Sequence, residues 1–200
     1  MSTVLTTGAN KGLGRGFVEK YLVRPGCCEG SKLVLVKIES TSETDALEAV
    51  RSIESQGILH LDFVIANARV FKAGAFLEAT LPLLKAAKQP RFIAISSAVS
   101  TITYAEYIPY TVTSYGASKA ALNSLLRRIH IENPELIAIA SHPGAVKTDE
   151  GNKAAQAFGF SEAFVGVKDA VDGVVSKMDA ATREESSGRF LAFDDTQLVW

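Results

Sequence analysis

The chain has 200 residues, of which 47% are hydrophobic and 22% are charged, and its formal net charge at pH 7 is -1. This composition suits one globular domain over residues 1–200 and argues against a disordered chain. The basic residues are scattered, so they form no electrostatic footprint for nucleic acid or for an anionic membrane surface. No apolar run approaches the ~18 residues of a membrane span and no basic leader opens the chain, so we expect a cytoplasmic protein.

Cysteine and histidine usage predicts neither a disulfide framework nor a metal site. Cys27 and Cys28 are adjacent, an arrangement that rarely allows a mutual disulfide. His60, His130 and His142 have no metal-ligand spacing among themselves or with the cysteines. We therefore expect no bound metal ion.

Hydrophobic periodicity predicts strands that alternate with helices along the whole chain. Predicted strands cover residues 3–6, 32–39, 61–66, 91–96, 137–141 and 189–193, and predicted helices lie around residues 12–23, 47–53, 75–88, 114–131 and 170–178. Pro82 either kinks the third helix or marks its late start. This alternation is typical of one doubly wound parallel sheet, a Rossmann-like α/β fold of about six to seven strands with helices on both faces.

The glycine-rich turn TGANKGLG occupies residues 7–14, between the first predicted strand and the first predicted helix. In such a turn, backbone N–H groups and the positive end of the helix can receive a pyrophosphate, and glycine is needed where a Cβ would block the approach. A simple tight connection would also account for the glycines. The motifs that follow favour a cofactor site.

Tyr115 and Lys119 stand four residues apart at the start of the helix predicted over residues 114–131. At that spacing they share a face of the helix. An isolated phenol titrates near pH 10, and a cation beside it favours the phenolate, as a general acid for carbonyl reduction requires. A packed ring beside a solvated charge would show the same spacing, so the catalytic interpretation depends on the other motifs.

Five motifs in chain order resemble the short-chain dehydrogenase/reductase family. They are TGANKGLG at 7–14, ANA at 66–68, the pair Ser96-Ser97, YGASK at 115–119, and Pro143-Gly144 with Thr148. Fungal ketoreductases similar to norsolorinic acid reductase resemble the chain further, through TGANKGLGRG, HPGAVKTD and the closing segment around residues 188–191. The resemblance runs over nearly the whole length.

The resemblance implies hydride transfer between NADP(H) and a carbonyl or hydroxyl group of an apolar substrate, such as an aromatic polyketide-like secondary metabolite. By motif, Tyr115 is the acid/base, Lys119 lies beside it and binds the nicotinamide ribose, and Ser97 donates a hydrogen bond to the carbonyl oxygen. Ser96 is the less favoured alternative to Ser97.

The family pattern also implies the residues that contact the cofactor. They are Gly8, Asn10, Lys11, Gly12, Leu13, Gly14, Glu39, Asn67, Ala68, Tyr115, Lys119, Pro143, Gly144, Val146 and Thr148. Lys11 occupies the position where a basic residue meets a 2′-phosphate, so NADP(H) is favoured over NAD(H). Glu39 meets either the ribose 2′-OH, as an acidic residue ending the strand 32–39 would, or the adenine.

The chain departs from the family pattern in three places. A strand and a helix are missing before residues 32–39, no asparagine stands between Asn67 and Asn123 to complete the family's proton relay, and Arg69 replaces a glycine. Two functions therefore stay open: an active reductase, and a catalytically impaired relative that binds a nucleotide or a partner. Residues 145–167 form either a substrate lid or a partly packed surface loop, and homo-oligomers are compatible with both functions.

Overall fold

The computed structural model describes residues 2–24, 31–39, 42, 44–68 and 73–200. These residues form one all-parallel sheet with strands in chain order: β1 (Val4–Thr6), β2 (Phe63–Ala66), β3 (Arg91–Ile95), β4 (Ile137–His142) and β5 (Phe190–Ala192). The predicted α/β fold with a parallel sheet is confirmed. The described residues supply five strands, fewer than the six to seven expected.

Six α-helices accompany the strands of the described chain. They are α1 (Gly12–Leu22), α2 (Asp45–Ser55), α3 (Ala73–Lys85), α4 (Thr113–Glu132), α5 (Asp149–Ala157) and α6 (Val167–Ala180). Helix α3 continues through Pro82, so the proline does not mark a late start. Helix α5 lies within residues 145–167, where no helix was predicted. It is short and buries little besides Ala155, so it has no clear apolar stripe in the sequence.

Two hydrophobic cores lie on opposite faces of the sheet. Because side chains alternate along a strand, Val64 and Ala66 of β2 join the core beneath α2, α3 and α4. Phe63 and Ile65 of the same strand join the core beneath α1 and α6. All four residues are buried, which is why the strand reads as a continuous apolar run.

The predicted strand over residues 32–39 is wrong. Within the described chain this segment joins no ladder, and β1 pairs directly with β2, Val4 opposite Phe63. Its alternating pattern has a different cause: Val34, Val36 and Ile38 pack against the core beneath α2 to α4 while their neighbours face outward. Alternation therefore marks which side is buried, and it does not supply a hydrogen-bonding neighbour.

The parallel strands bring all their carboxyl ends to one edge of the sheet. The register sets Thr6 beside Ile65, Ala66 beside Ala94, and Ile95 beside Ser141. The segments that follow β1, β2, β3 and β4 therefore emerge side by side, and these segments carry the sequence motifs. Ligand sites of open α/β sheets lie at this edge.

Candidate active site

The glycine turn after β1 is packed too closely for side chains. Gly8 and Gly12 have φ of 65° and 54°, in the left-handed region that favours glycine. A Cβ on Gly14 would stand 2.2 Å from the carbonyl oxygen of Gly8, so the start of α1 lies directly against the turn. Glycine is therefore required at these positions of the turn.

The turn is fastened to the end of β2 by hydrogen bonds. The hydroxyl of Thr7 accepts from the backbone N–H groups of Asn67 and Ala68, at 3.1 and 3.0 Å. The Asn67 amide donates to the carbonyl oxygen of Thr7 at 2.9 Å. The first two motifs are thus parts of one unit.

The N-terminus of α1 keeps its backbone donors available to a ligand. Lys11 occupies the N-cap in an extended conformation without a side-chain cap bond, and the first turn contains no acidic residue. Backbone N–H groups at such an end attract anions. The Lys11 ammonium lies 3.7 Å from a carboxylate oxygen of Glu150, and both side chains are exposed.

The two serines after β3 have different environments. Ser96 is buried and its hydroxyl donates to Oδ1 of Asn123 at 2.6 Å. Ser97 is only partly buried, and its hydroxyl makes no hydrogen bond within the described part of the chain. This geometry favours Ser97 over Ser96 as the residue that can contact a ligand.

Helix α4 presents Tyr115 and Lys119 beside the turn that contains Ser97. The Tyr115 ring is 41% exposed and the Lys119 ammonium lies 5.9 Å from its centroid. Lys119 also donates to the carbonyl oxygen of Ile95 at 2.7 Å. A Cβ on Gly116 would stand 2.9 Å from the carbonyl oxygen of Val99, so the first turn of α4 touches the serine turn.

Asn123 and His142 support this region and were not identified from the sequence. Asn123 is buried between Ser96 and Ser100, and its position four residues after Lys119 was the only signal available. Nδ1 of His142 accepts from the N–H of Ala98 at 3.3 Å. Burial lowers the pKa of His142 to about 4, so the imidazole is neutral near pH 7.

The segment after β4 packs against both the glycine turn and the chain end after β5. Gly144 has φ of 82°, and a Cβ there would meet Val165 and Phe193 at 2.8 and 2.9 Å. Thr148 caps α5 by accepting from the N–H of Gly151 at 3.1 Å. Its methyl carbon would contact a Cβ on Gly12 at 3.2 Å, which brings residues 143–148 to the start of α1.

Residues 145–167 contain α5 and an aromatic cluster. Tyr110 stacks on Phe158 at 4.3 Å between centroids, Phe160 meets Tyr110 edge-on at 6.2 Å, and Phe160 meets Phe164 at 4.9 Å. Phe164 remains 64% exposed. An open groove of about 550 Å³ lies where Pro109–Thr111 face Ala157–Gly159.

The base of this segment is fixed. Val146 bridges Val165, the N–H of Val165 donates to Ala145 at 2.8 Å, and Lys147 forms an ion pair with Glu162. The segment is therefore anchored at both ends and carries its aromatic surface between them.

Two predicted features concern the adenosine side, Glu39 and Arg69. Glu39 ends no strand; its backbone N–H donates to the Asp45 carboxylate at 2.8 Å on the way into α2. The pKa of the Asp45 carboxyl is lowered, most by a hydrogen bond with Ser42 and next by this bond from the backbone of Glu39. Arg69 lies outside the described residues, as do Cys27 and Cys28.

Two features are absent from the residues that the structure describes. No helix there has the length and apolarity that a bilayer crossing requires. No group of three or more histidine, cysteine, aspartate or glutamate side chains there could hold a metal ion.

Proteins of similar sequence are fungal oxidoreductases. The short-chain dehydrogenase RED3 of Pyricularia oryzae is 36% identical over 246 residues, covering 100% of this chain and 98% of that protein. The norsolorinic acid ketoreductase nor1 of Dothistroma septosporum is 34% identical, with 100% and 92% covered. The first alignment spans 246 positions for a chain of 200 residues, so parts of that relative have no counterpart here.

Solved structures with the same fold include carbonyl reductases. The NADPH-bound carbonyl reductase from chicken fatty liver superposes with a TM-score of 0.84 at 26% identity, covering 100% of this chain and 99% of that one. Carbonyl reductase Sniffer of D. melanogaster superposes with a TM-score of 0.81 at 21% identity over both full chains. No protein-family model matches the sequence. The full-length relatives nonetheless show that the chain belongs to the short-chain dehydrogenase/reductase family.

Proposed function

We propose that this protein is an NADP(H)-dependent carbonyl reductase for an apolar, aromatic ketone. The observation that carries the proposal is the contact between the first turns of α4 and the serine turn after β3. A Cβ on Gly116 would stand 2.9 Å from the carbonyl oxygen of Val99, and Lys119 donates a hydrogen bond to the carbonyl oxygen of Ile95. These contacts support a site made of Tyr115, Lys119 and Ser97. Membership of the family supports oxidoreductase chemistry.

The glycine turn and the start of α1 fit a dinucleotide phosphate. The backbone is closely approached at Gly8 and Gly14, the helix N-terminus is uncapped by any side chain, and its first turn has no carboxylate to repel an anion. We assign the phosphate contacts to Gly8, Asn10, Gly12, Leu13 and Gly14, the adenosine side to Asn67 and Ala68, and the nicotinamide side to Pro143, Gly144, Val146 and Thr148. A bound nicotinamide would supply the hydride for carbonyl reduction.

The side chains of this chain have separate tasks in the reaction. Tyr115 donates a proton to the carbonyl oxygen of the substrate as charge develops on it. The unpaired hydroxyl of Ser97 donates a hydrogen bond to the same oxygen. Lys119, with its ammonium beside the Tyr115 ring, stabilises the phenolate that remains after proton transfer.

An aromatic substrate is supported by an aromatic surface on residues 145–167 and Tyr110. Tyr110, Phe158, Phe160 and Phe164 form a continuous ring cluster along the groove between residues 109–111 and 157–159. Aromatic faces bind planar apolar ligands by offset stacking. Two relatives of the chain are named norsolorinic acid ketoreductases, which agrees with a polyketide-like ketone. We accordingly propose that residues 145–167 act as the substrate lid.

A nucleotide-binding relative without turnover is the second candidate. It is favoured by the absence of segments that the aligned relative contains, and by the position of Glu39 away from any strand end. Both candidates bind the cofactor, and only the first reduces a ketone.

The deciding experiment combines titration with NADPH, followed by fluorescence, and turnover of an aryl ketone by the native chain and by Tyr115→Phe. We expect native turnover near the common enzyme range of about 1 to 10³ per second. Tyr115→Phe should abolish reduction while binding NADPH nearly as well as the native chain, because the phenol acts on the transition state. A phenylalanine variant that keeps a large part of kcat would remove Tyr115 from the mechanism, and NADPH binding without native turnover would favour the second candidate.

A further inference from the structure

A directional chain of hydrogen bonds runs through the interior below the candidate site. The Ser96 hydroxyl donates to Oδ1 of Asn123 at 2.6 Å, and Nδ2 of Asn123 donates to the Ser100 hydroxyl at 2.7 Å. Ser100 donates in turn to the carbonyl oxygen of Ser97 at 2.6 Å. Ser96, Asn123 and Ser100 are all buried, so the two bonds that Asn123 makes are shielded from water.

Asn123 satisfies both serines at once. As an acceptor on one atom and a donor on the other, its amide bridges two hydroxyls. An apolar side chain in its place would remove the acceptor of Ser96 and the donor to Ser100. Leaving a buried hydroxyl without a partner is unfavourable. The amide therefore fixes Ser96 and Ser100 relative to each other, and Ser97 lies in the turn between them.

The same residue belongs to the helix that carries the other two candidate catalytic side chains. Asn123 follows Lys119 by four residues and Tyr115 by eight, so all three lie on one face of α4. Lys119 holds the carbonyl oxygen of Ile95, immediately before Ser96. Lys119 and Asn123, one turn apart on α4, thus bond the backbone of Ile95 and the side chain of Ser96.

We propose that Asn123 is a positioning residue for ketone reduction: through Ser96 and Ser100 it sets the Ser97 hydroxyl relative to Tyr115 and Lys119. The inference rests on the proposed reductase function. Asn123 touches neither substrate nor cofactor in this assignment. Its effect comes from the supporting contacts that keep a reacting group in place, where a displacement of about 1 Å costs on the order of 100-fold in rate.

Two variants interrupt this series of hydrogen bonds at different points. Asn123→Leu removes both amide contacts at similar volume, and Ser100→Ala removes only the link from Asn123 to the Ser97 carbonyl. Thr80→Val is the matched control, because the Thr80 hydroxyl is equally buried and bonds Phe76 and Leu77 within α3, away from the site. Each protein is assayed for kcat, for NADPH affinity by fluorescence without substrate, and for thermal unfolding.

We expect kcat to fall about 10- to 100-fold in both variants, with NADPH affinity within about twofold of native. Thr80→Val should lose thermal stability and keep its kcat. Native kcat in folded Asn123→Leu and Ser100→Ala would overturn the positioning role, as would an equal loss of cofactor affinity or a failure of both variants to fold. A native chain that binds NADPH but reduces no ketone would instead overturn the proposed function, and the positioning role with it.

Discussion

Lys11 lies within reach of two kinds of anion. In the structure its ammonium faces Glu150, and in the proposed complex it faces the 2′-phosphate of NADP(H). An exposed ion pair of this kind is weak and is screened by salt, so it does not prevent the ammonium from turning to a dianionic phosphate.

Lys11→Ala should therefore reduce the preference for NADPH over NADH, because a charge-assisted contact to the phosphate is worth about 1 to 3 kcal/mol. Glu150→Gln should shift the preference the other way, since it removes the competing carboxylate. Both affinities are measured by fluorescence titration. Lys153→Ala is the control, because Lys153 also faces Glu150, at 3.8 Å, from within α5. If Lys11→Ala leaves the ratio of the two affinities unchanged, Lys11 does not bind the phosphate.

The lowered pKa of His142 predicts how the stability of the protein changes with pH. Its pKa is lowered from 6.5 to about 4, chiefly because burial disfavours the charged ring, while Asp194 acts weakly in the opposite direction. Between pH 6.5 and about 4, His142 is protonated in the unfolded chain and stays neutral in the folded chain. The free energy of unfolding should therefore fall as pH drops through this window, by about 2 to 3 kcal/mol from this residue.

Urea unfolding at several pH values checks this expectation. His142→Asn keeps an acceptor for the Ala98 N–H and removes the titrating ring, so its stability should depend less on pH between 4 and 6.5. His60→Asn, at a more exposed histidine, serves as the control. If the free energy of unfolding of the native protein and of His142→Asn depended equally on pH between 4 and 6.5, His142 would not be the cause of the pH dependence.

At the scale of elements, α6 approaches the end of β5 through a glycine. A Cβ on Gly173 would stand 2.2 Å from the carbonyl oxygen of Phe193, which is backbone and cannot swing aside. Gly173→Ala should therefore destabilise the protein by about 1 to 3 kcal/mol, although alanine is the better helix former.

Gly74→Ala in α3 is the matched substitution for this test, because among the described residues no atom beyond its chain neighbours and its own helix backbone lies within 4 Å of the added carbon. It should be neutral or stabilise by up to about 1 kcal/mol. Midpoints of urea unfolding compare the two. A Gly173→Ala variant as stable as Gly74→Ala would show that α6 can move away from the sheet.

Local signals in the sequence predicted most elements, and the exceptions share a physical cause. The buried run of β2 and the TGANKGLG turn are specified by residues next to one another, so they could be identified. Residues 32–39 have the alternation of a strand, but pairing depends on a neighbour that the described chain does not provide. Asn123 and Ser96 are 27 residues apart, and nothing local in either segment indicates that they bond.

At the scale of the whole molecule, residues 32–38 form an exposed apolar segment that pairs with no strand of the described chain. They are rich in β-branched and apolar residues, and Leu33 and Leu35 are 52% and 81% exposed. Exposed apolar segments without a ladder partner promote pairing between chains.

Leu35→Lys should therefore reduce self-association at high protein concentration, because a charge on an edge opposes edge-to-edge pairing. Sedimentation velocity over a range of concentrations measures the effect. Leu59→Lys is the control, since Leu59 is similarly exposed, at 71%, outside this segment. A native chain that stays monomeric throughout the range would contradict the prediction.

Chain-order arrangement of the strands has a consequence for biosynthesis. Each strand of the described sheet lies beside its predecessor in the sequence, so no strand must be inserted between two that are already paired. As the chain leaves the ribosome, β2 can dock on β1, and each later strand on the free edge that the previous one leaves. The glycine turn and its partner Asn67 are then joined before Tyr115 has been synthesised, so the phosphate and adenosine side of the proposed cofactor site can form before α4 is added to it.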